Sequence, residues 1–86
     1  MEEKTIKLHK LKLVQPFFSE VQKGTKTFEL RRNDRDFQIE DEICLQEYDM
    51  VHHVFSGDEI KGEITYVLKN RVGLDEDFCI FSFKKI

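Results

Sequence analysis

Apolar residues recur at every second position in one segment of this chain after another, and they hold a helical period only once, over two turns. From Thr5 to Val14, Ile6 and Leu8 share one face and Leu11 and Leu13 the other. The parity flips near His9-Lys10, as it would in a bulged strand or in two short strands. Thr27 to Arg31 alternates again, with Phe28 and Leu30 facing one way and Thr27, Glu29 and Arg31 the other. Ile43 to Tyr48 reads as a strand entered through the acidic Glu40-Asp41-Glu42. Ile60 to Leu68 places Ile64, Tyr66 and Leu68 on one face, with Gly62 as a bulge candidate. Phe78 to Ile86 closes the sequence as a strand, Cys79, Phe81 and Phe83 alternating with Phe78, Ile80 and Ser82.

The one helical stretch follows Pro16, a residue suited to a first turn because its missing N–H has no partner there. Phe17, Phe18 and Val21 fall on one face, and Gly24 is the natural left-handed stop. Two turns do not hold themselves, so this helix must be fixed by tertiary packing. Asn33-Asp34 signals a turn, Asp49 to Asp58 reads as a loop or hairpin arm, and Lys69 to Asp77 as a turn-rich connection with room for one helical turn. Five or six short strands in an open sheet would leave apolar edges. A small β-barrel with the helix packed beside it is the economical arrangement, mainly β within an α+β composition.

Eighty-six residues make one domain with a modest core. The 40% hydrophobic content, with eight phenylalanines, is that of a folded, soluble chain. Cys44 and Cys79 both sit in apolar runs and read as reduced core thiols. The opening MEEKTIKLHK has no apolar leader and no run is long enough to span a membrane, so a cytoplasmic protein is expected. Net charge is −3, against a general nucleic-acid coat. The charge is unevenly spread: residues 1–35 carry nine basic and five acidic groups, residues 36–86 five and twelve. That asymmetry suggests a positive face on an acidic body.

The basic contrast peaks in Gly24-Thr25-Lys26-Thr27-Phe28-Glu29-Leu30-Arg31-Arg32-Asn33-Asp34-Arg35. Glu29 and Arg31 share a strand face about 6.5–7 Å apart along the backbone, with Lys26 just before them. A carboxylate accepts from an amino edge, and guanidinium groups fork onto phosphate or carbonyl oxygens. Lys26, Glu29 and Arg31 are therefore candidate readers of a nucleobase or nucleotide, with Arg32 and Arg35 widening the positive field and Asp34 orienting an arginine. The same spacing also suits a surface salt-bridge ladder of little energetic weight.

Gly24-x-Lys26-x-x-Glu29-x-Arg31 resembles the GxKxxExR signature of the ASCH domain family, within the PUA-like superfamily. The likeness extends over nearly the whole of residues 1–86. His9-Lys10-Leu11-Lys12 with Pro16-Phe17-Phe18, then Arg32-Asn33-Asp34-Arg35 with Phe37 and Asp41, are similar to a short ASCH-like subfamily, as are Leu45-x-Glu47-Tyr48 and Phe55-Ser56-Gly57. Where that subfamily has a basic residue after the glycine, this chain has Asp58. The resemblance implies a single PUA-like domain whose cleft, beside the first helix, is lined by the signature and binds RNA or a nucleotide-like ligand. It also implies an alternative. One branch of the family removes the acyl group from N4-acetylcytidine, using a Lys at the signature position, a Thr three residues on and a later Glu. Here Lys26 is kept and Glu29 stands in the place of the Thr, while Thr27 is on the other strand face. As an amidohydrolase this chain would rely on Lys26 and Glu29, with Glu47 or Glu63 as a second carboxylate.

No cofactor is expected. His52-His53 point opposite ways on a strand, His9 is remote, and no zinc-ligand spacing occurs. Tyr48, Phe55 and Tyr66 are candidates for stacking on a base. Asp75-Glu76-Asp77 reads as a solvated acidic turn, and the four glycines are too scattered for a phosphate-cradling loop.

Overall fold

The computed structural model describes residues 5–86; residues 1–4, part of the opening read above for a leader, lie outside the described residues. In chain order come β1 (Leu8–Leu13), α1 (Phe17–Lys23), β2 (Phe28–Arg32), β3 (Glu42–Asp49), β4 (Val54–Leu68) and β5 (Phe78–Lys85). The five strands form one sheet in the order β1-β3-β4-β5-β2. β1 runs parallel to β3, and the other pairs are antiparallel. The sheet curls into a half-barrel. Register shifts between Gln46 and Tyr48 and between Ile64 and Tyr66 supply two bulges that tighten its twist. Among the described residues no helix is long and apolar enough to cross a membrane.

β1 and β2 are the free edges of the curl. Backbone pairing does not close the barrel here; two arginines reach across instead. Arg31 Nη2 donates to the Lys12 carbonyl at 2.8 Å, and Arg35 Nη1 to the Lys10 carbonyl at 3.0 Å. Lys10 and Lys12 are two residues apart, so their carbonyls leave β1 on the same side.

The core fills the inside of the curl. Leu11 and Leu13 of β1, Ile43 and Leu45 of β3, Ile64 of β4, and Cys79, Phe81 and Phe83 of β5 meet Phe18 and Val21 of α1. Phe37, from the β2–β3 connection, packs against Phe81 with ring centroids 4.9 Å apart. Both cysteines are buried free thiols. Gly24, at φ 84°, ends α1 as expected, its N–H bonding back to the carbonyls of the last turn.

Several details of the sequence reading are corrected. β1 is one unbroken strand with no parity flip: His9, Leu11 and Leu13 point inward, and Ile6 and Leu8 are exposed. A histidine takes the inward slot because Asp41 meets it there. His9 Nε2 lies 2.8 Å from Asp41 Oδ2, and the ring packs edge-on against Phe37. α1 buries Phe18 and Val21 but turns Phe17 outward. Of the two alternatives for residues 49–58, the hairpin arm is the one found: β3 ends at Asp49, β4 starts at Val54, and the two strands pair up to the turn between them. The bulge expected at Gly62 lies instead at Ile64/Tyr66, and it turns Tyr66 and Leu68 away from the face of Ile64. Residues 69–77 make turns without a helical turn.

Gly62 has a different reason to be glycine. A Cβ there would lie 3.0 Å from both the Lys84 carbonyl oxygen and Phe83 Cδ2. Gly62→Ala should therefore lower stability by about 1–3 kcal/mol through overpacking, read as a lower urea midpoint at constant m; an unchanged midpoint contradicts the close approach.

Asp41 carries a second expectation. Burial pushes its carboxyl pKa up, but hydrogen bonds from His9 and from the Lys7 and Gln38 N–H groups outweigh this and hold it below the usual value. The unfolded chain thus binds the proton more readily than the folded one. The associated stability is complete above the ordinary carboxylate range, near pH 4, and is lost as pH falls through the lower folded value. Urea midpoints should drop steeply on acidification below about pH 4. Asp41→Asn should be less stable at neutral pH with a flatter acid limb; an equally steep limb in that variant assigns the acid sensitivity elsewhere.

Candidate ligand-binding groove

The groove lies on the seam between β1 and β2, beside the start of α1. Its volume is about 520 Å³, and Lys12, Val14, Phe17, Lys26, Phe28, Glu29 and Arg31 are among its walls. That size falls within the range of small-ligand sites, roughly 300–1,000 Å³.

β2 decides what faces it. The strand separates its two faces as the alternation requires, but its charged face points inward. Glu29 is 3% exposed, while Phe28 and Leu30 are 48% and 56% exposed. A carboxylate removed from water needs partners, and Glu29 has two cations. Lys26 Nζ bonds its Oε2 closely and also donates to the Phe28 carbonyl at 2.6 Å. Arg31 donates to its Oε1 through Nη2 at 2.7 Å and Nε at 3.2 Å. The turn after Gly24 presents Lys26, whose N–H bonds the Glu20 carbonyl.

The cluster carries one more positive than negative charge and is only partly exposed to water. Burial lowers the Lys26 pKa, and the nearby Arg31 charge adds to this. Burial also lowers that of Arg31, with Asp34 opposing. Both oxygens of Glu29 are engaged. Arg31 retains its Nη1 edge, for which no acceptor is found among the described residues. The geometry leaves N–H donors of Lys26 and Arg31 for an anionic or carbonyl-bearing guest, with Glu29 holding them in place.

Three of the five residues singled out in the sequence thus converge, and two do not. Arg32, one residue from Arg31 on a strand, points the other way and stacks on the Phe78 ring at 5.2 Å. Arg35 is spent on the Lys10 carbonyl. Among the described residues the ion-pair partner of Arg31 is Glu29; Asp34 acts on it only at longer range. Neither later carboxylate joins the cluster. Glu63 pairs with Lys84 at 3.2 Å, and Glu47 accepts from Gln15 and Ser56, which hold its pKa below the usual value.

Glu47 lies in a neighbouring hollow of about 440 Å³ at the base of the β3–β4 hairpin, which shares Val14 with the groove. There Tyr48 and Phe55 pack edge to face at 4.9 Å, and Lys12 Nζ sits 4.3 Å from the Tyr48 centroid. His52 and His53 diverge, towards Asp49 and the Tyr48 hydroxyl. Among the described residues no group of three or more His, Cys, Asp or Glu side chains is placed to hold a metal. The sequence reading missed Lys12, Phe17 and Phe28 as groove residues. For Phe28 a signal existed: an apolar residue opposite a charge cluster on a short strand must be exposed if the charges are buried.

A family model described as a domain of unknown function (DUF3850) matches residues 8–83. The chain belongs to this family. It is also similar to a protein of Escherichia phage P2 named "Uncharacterized 12.9 kDa protein in GpA 3'region", at 36% identity over 61 residues. That match covers 71% of this chain and 54% of the phage protein, so the chain spans about half the length of this curated relative. Every groove residue lies within the span matched by the DUF3850 model.

Glu29→Ala leaves two partly buried cations facing each other, with side chains 16% and 24% exposed. It should cost on the order of 3 kcal/mol, and adding Lys26→Met should recover part of that loss. A double-mutant cycle by chemical denaturation measures the coupling, and additive losses contradict the cluster.

Proposed function

We propose that this DUF3850 domain binds a nucleotide-like ligand, a short or modified RNA or a single nucleotide, in the Lys26–Glu29–Arg31 groove. One observation carries the reading: a buried carboxylate holds an ammonium and a guanidinium at the wall of a ligand-sized groove, with donors left over. Preorganised N–H donors with net positive charge suit phosphate or carbonyl oxygens. The acidic remainder of the chain disfavours long duplex, which attracts proteins through many phosphate contacts. In the same reading the half-barrel is a PUA-like domain of the ASCH type. What supports this is that Lys26, Glu29 and Arg31 of the signature line a groove that Phe17 of the first helix also borders. Two buried free thiols accord with a reducing, cytoplasmic setting.

The second reading, an amidohydrolase of N4-acetylcytidine-type nucleosides, rests on the lowered Lys26 pKa beside a carboxylate. With Glu29 in the place of the family's Thr, the nucleophile would have to be water.

Fluorescence anisotropy with short single-stranded RNA at two or more salt concentrations tests binding. Arg31→Ala should weaken affinity about tenfold and reduce the salt slope by about one; an unchanged affinity and slope refutes the site. Chromatography of N4-acetylcytidine incubated with the protein tests the second reading: acetate release that Lys26→Ala abolishes supports it, and none excludes it.

A further inference from the structure

We infer that Phe17 and Phe28 form an aromatic clamp that stacks one unpaired nucleobase at the mouth of the groove. The inference rests on the nucleotide-binding reading and narrows its ligand to one that presents a free base.

Phe17 begins α1 and Phe28 begins β2. Both rings line the groove and both are 48% exposed. In a domain this small, a phenylalanine left half in water has forgone much of its burial. Of the other six phenylalanines five are buried or half-buried, and Phe55 is 47% exposed. Phe55 has Tyr48 as a ring partner. Among the described residues Phe17 and Phe28 have no aromatic partner of their own. What they share is the Lys26 ammonium, 5.8 Å from the Phe17 centroid and 5.1 Å from that of Phe28. Both rings therefore lie close to the Lys26 ammonium of the cation cluster.

Aromatic rings beside a cationic groove are the arrangement by which single-stranded nucleic acid is held: charge takes the phosphate, and rings take the base. The Tyr48–Phe55 pair is the poorer candidate, because Lys12 already covers the Tyr48 ring. A base within a duplex is stacked and paired and cannot enter between side chains, so the clamp selects an unpaired base, on a strand or as a free nucleotide.

The sequence has no tryptophan, so Phe28→Trp places a single indole in the groove. Its fluorescence should be quenched by a short single-stranded RNA and not by the same strand made abasic. Independently, Phe17→Leu and Phe28→Leu should each weaken binding of the intact strand about tenfold while leaving abasic-strand binding, which uses Lys26 and Arg31, unchanged. A 5′-mononucleotide that binds as tightly as the strand identifies a free nucleotide as the source of the base, and weaker binding identifies RNA; the clamp requires the Leu variants to lose affinity in either case. The inference is overturned if intact and abasic strands bind equally, or if both Leu variants keep full affinity. Absence of binding by both strands and by the mononucleotide refutes the nucleotide reading itself, and the clamp with it.

Discussion

The inward turn of the Glu29 carboxylate sets the terms for the rest of the molecule. An ionised group at 3% exposure persists only with close opposite charge and hydrogen bonds. Glu29 obtains both from Lys26 and Arg31, and each partner is thereby fixed. Lys26 is drawn back over the start of β2, which shapes the turn after α1. Arg31 extends far enough to reach the Lys12 carbonyl, tying β2 to β1 where no strand ladder does. The same side chain that neutralises the carboxylate thus also closes the seam. The groove is what remains open beside that closure.

A half-barrel with free edges needs its curvature held from within. The two bulges bend the sheet, and Gly62 lets β4 and β5 approach where a Cβ would be crowded against the Lys84 carbonyl and the Phe83 ring. Phe37 and the His9–Asp41 pair fill the other end of the curl. Asp41 also accepts from the Lys7 and Gln38 N–H groups, so one carboxylate joins the start of β1 to the β2–β3 connection. Both ends of the half-barrel are therefore stitched by a buried carboxylate with several donors. Fully partnered buried polar groups of this kind favour one arrangement over its alternatives.

Much of the strand layout was legible because alternation is a local property. Thr27–Arg31, Ile43–Tyr48 and the last segment needed only their own residues to be read as strands. Alternation gives parity, however, and not which face is inside. In β2 the face with Phe28 and Leu30 turned outward because its opposite face carried charges that could satisfy one another. In β1 the histidine took an inward place that only Asp41, 32 residues away, makes favourable. The site was legible to the same depth. Proximity in sequence brought Lys26, Glu29 and Arg31 together, while strand parity was a sufficient reason to separate Arg32 from Arg31. The diversion of Arg35 and the arrival of Lys12 and Phe17 depend on the seam, and which strands become edges is a long-range outcome that no short pattern encodes.

The cluster's internal pairing bears on how tightly any guest can be held. A phosphate approaching Lys26 and Arg31 meets cations already partnered by Glu29, so each new bond replaces part of an existing one rather than adding to bare charge. Binding through such a site gains less from Coulomb attraction than two free cations would give, but it requires little reordering of side chains that are already fixed. The acidic body lowers nonspecific attraction further. Selectivity then rests on shape and on apolar contact at the groove mouth more than on charge. A chain with this balance is suited to distinguishing one small ligand among many polyanions rather than to coating any of them.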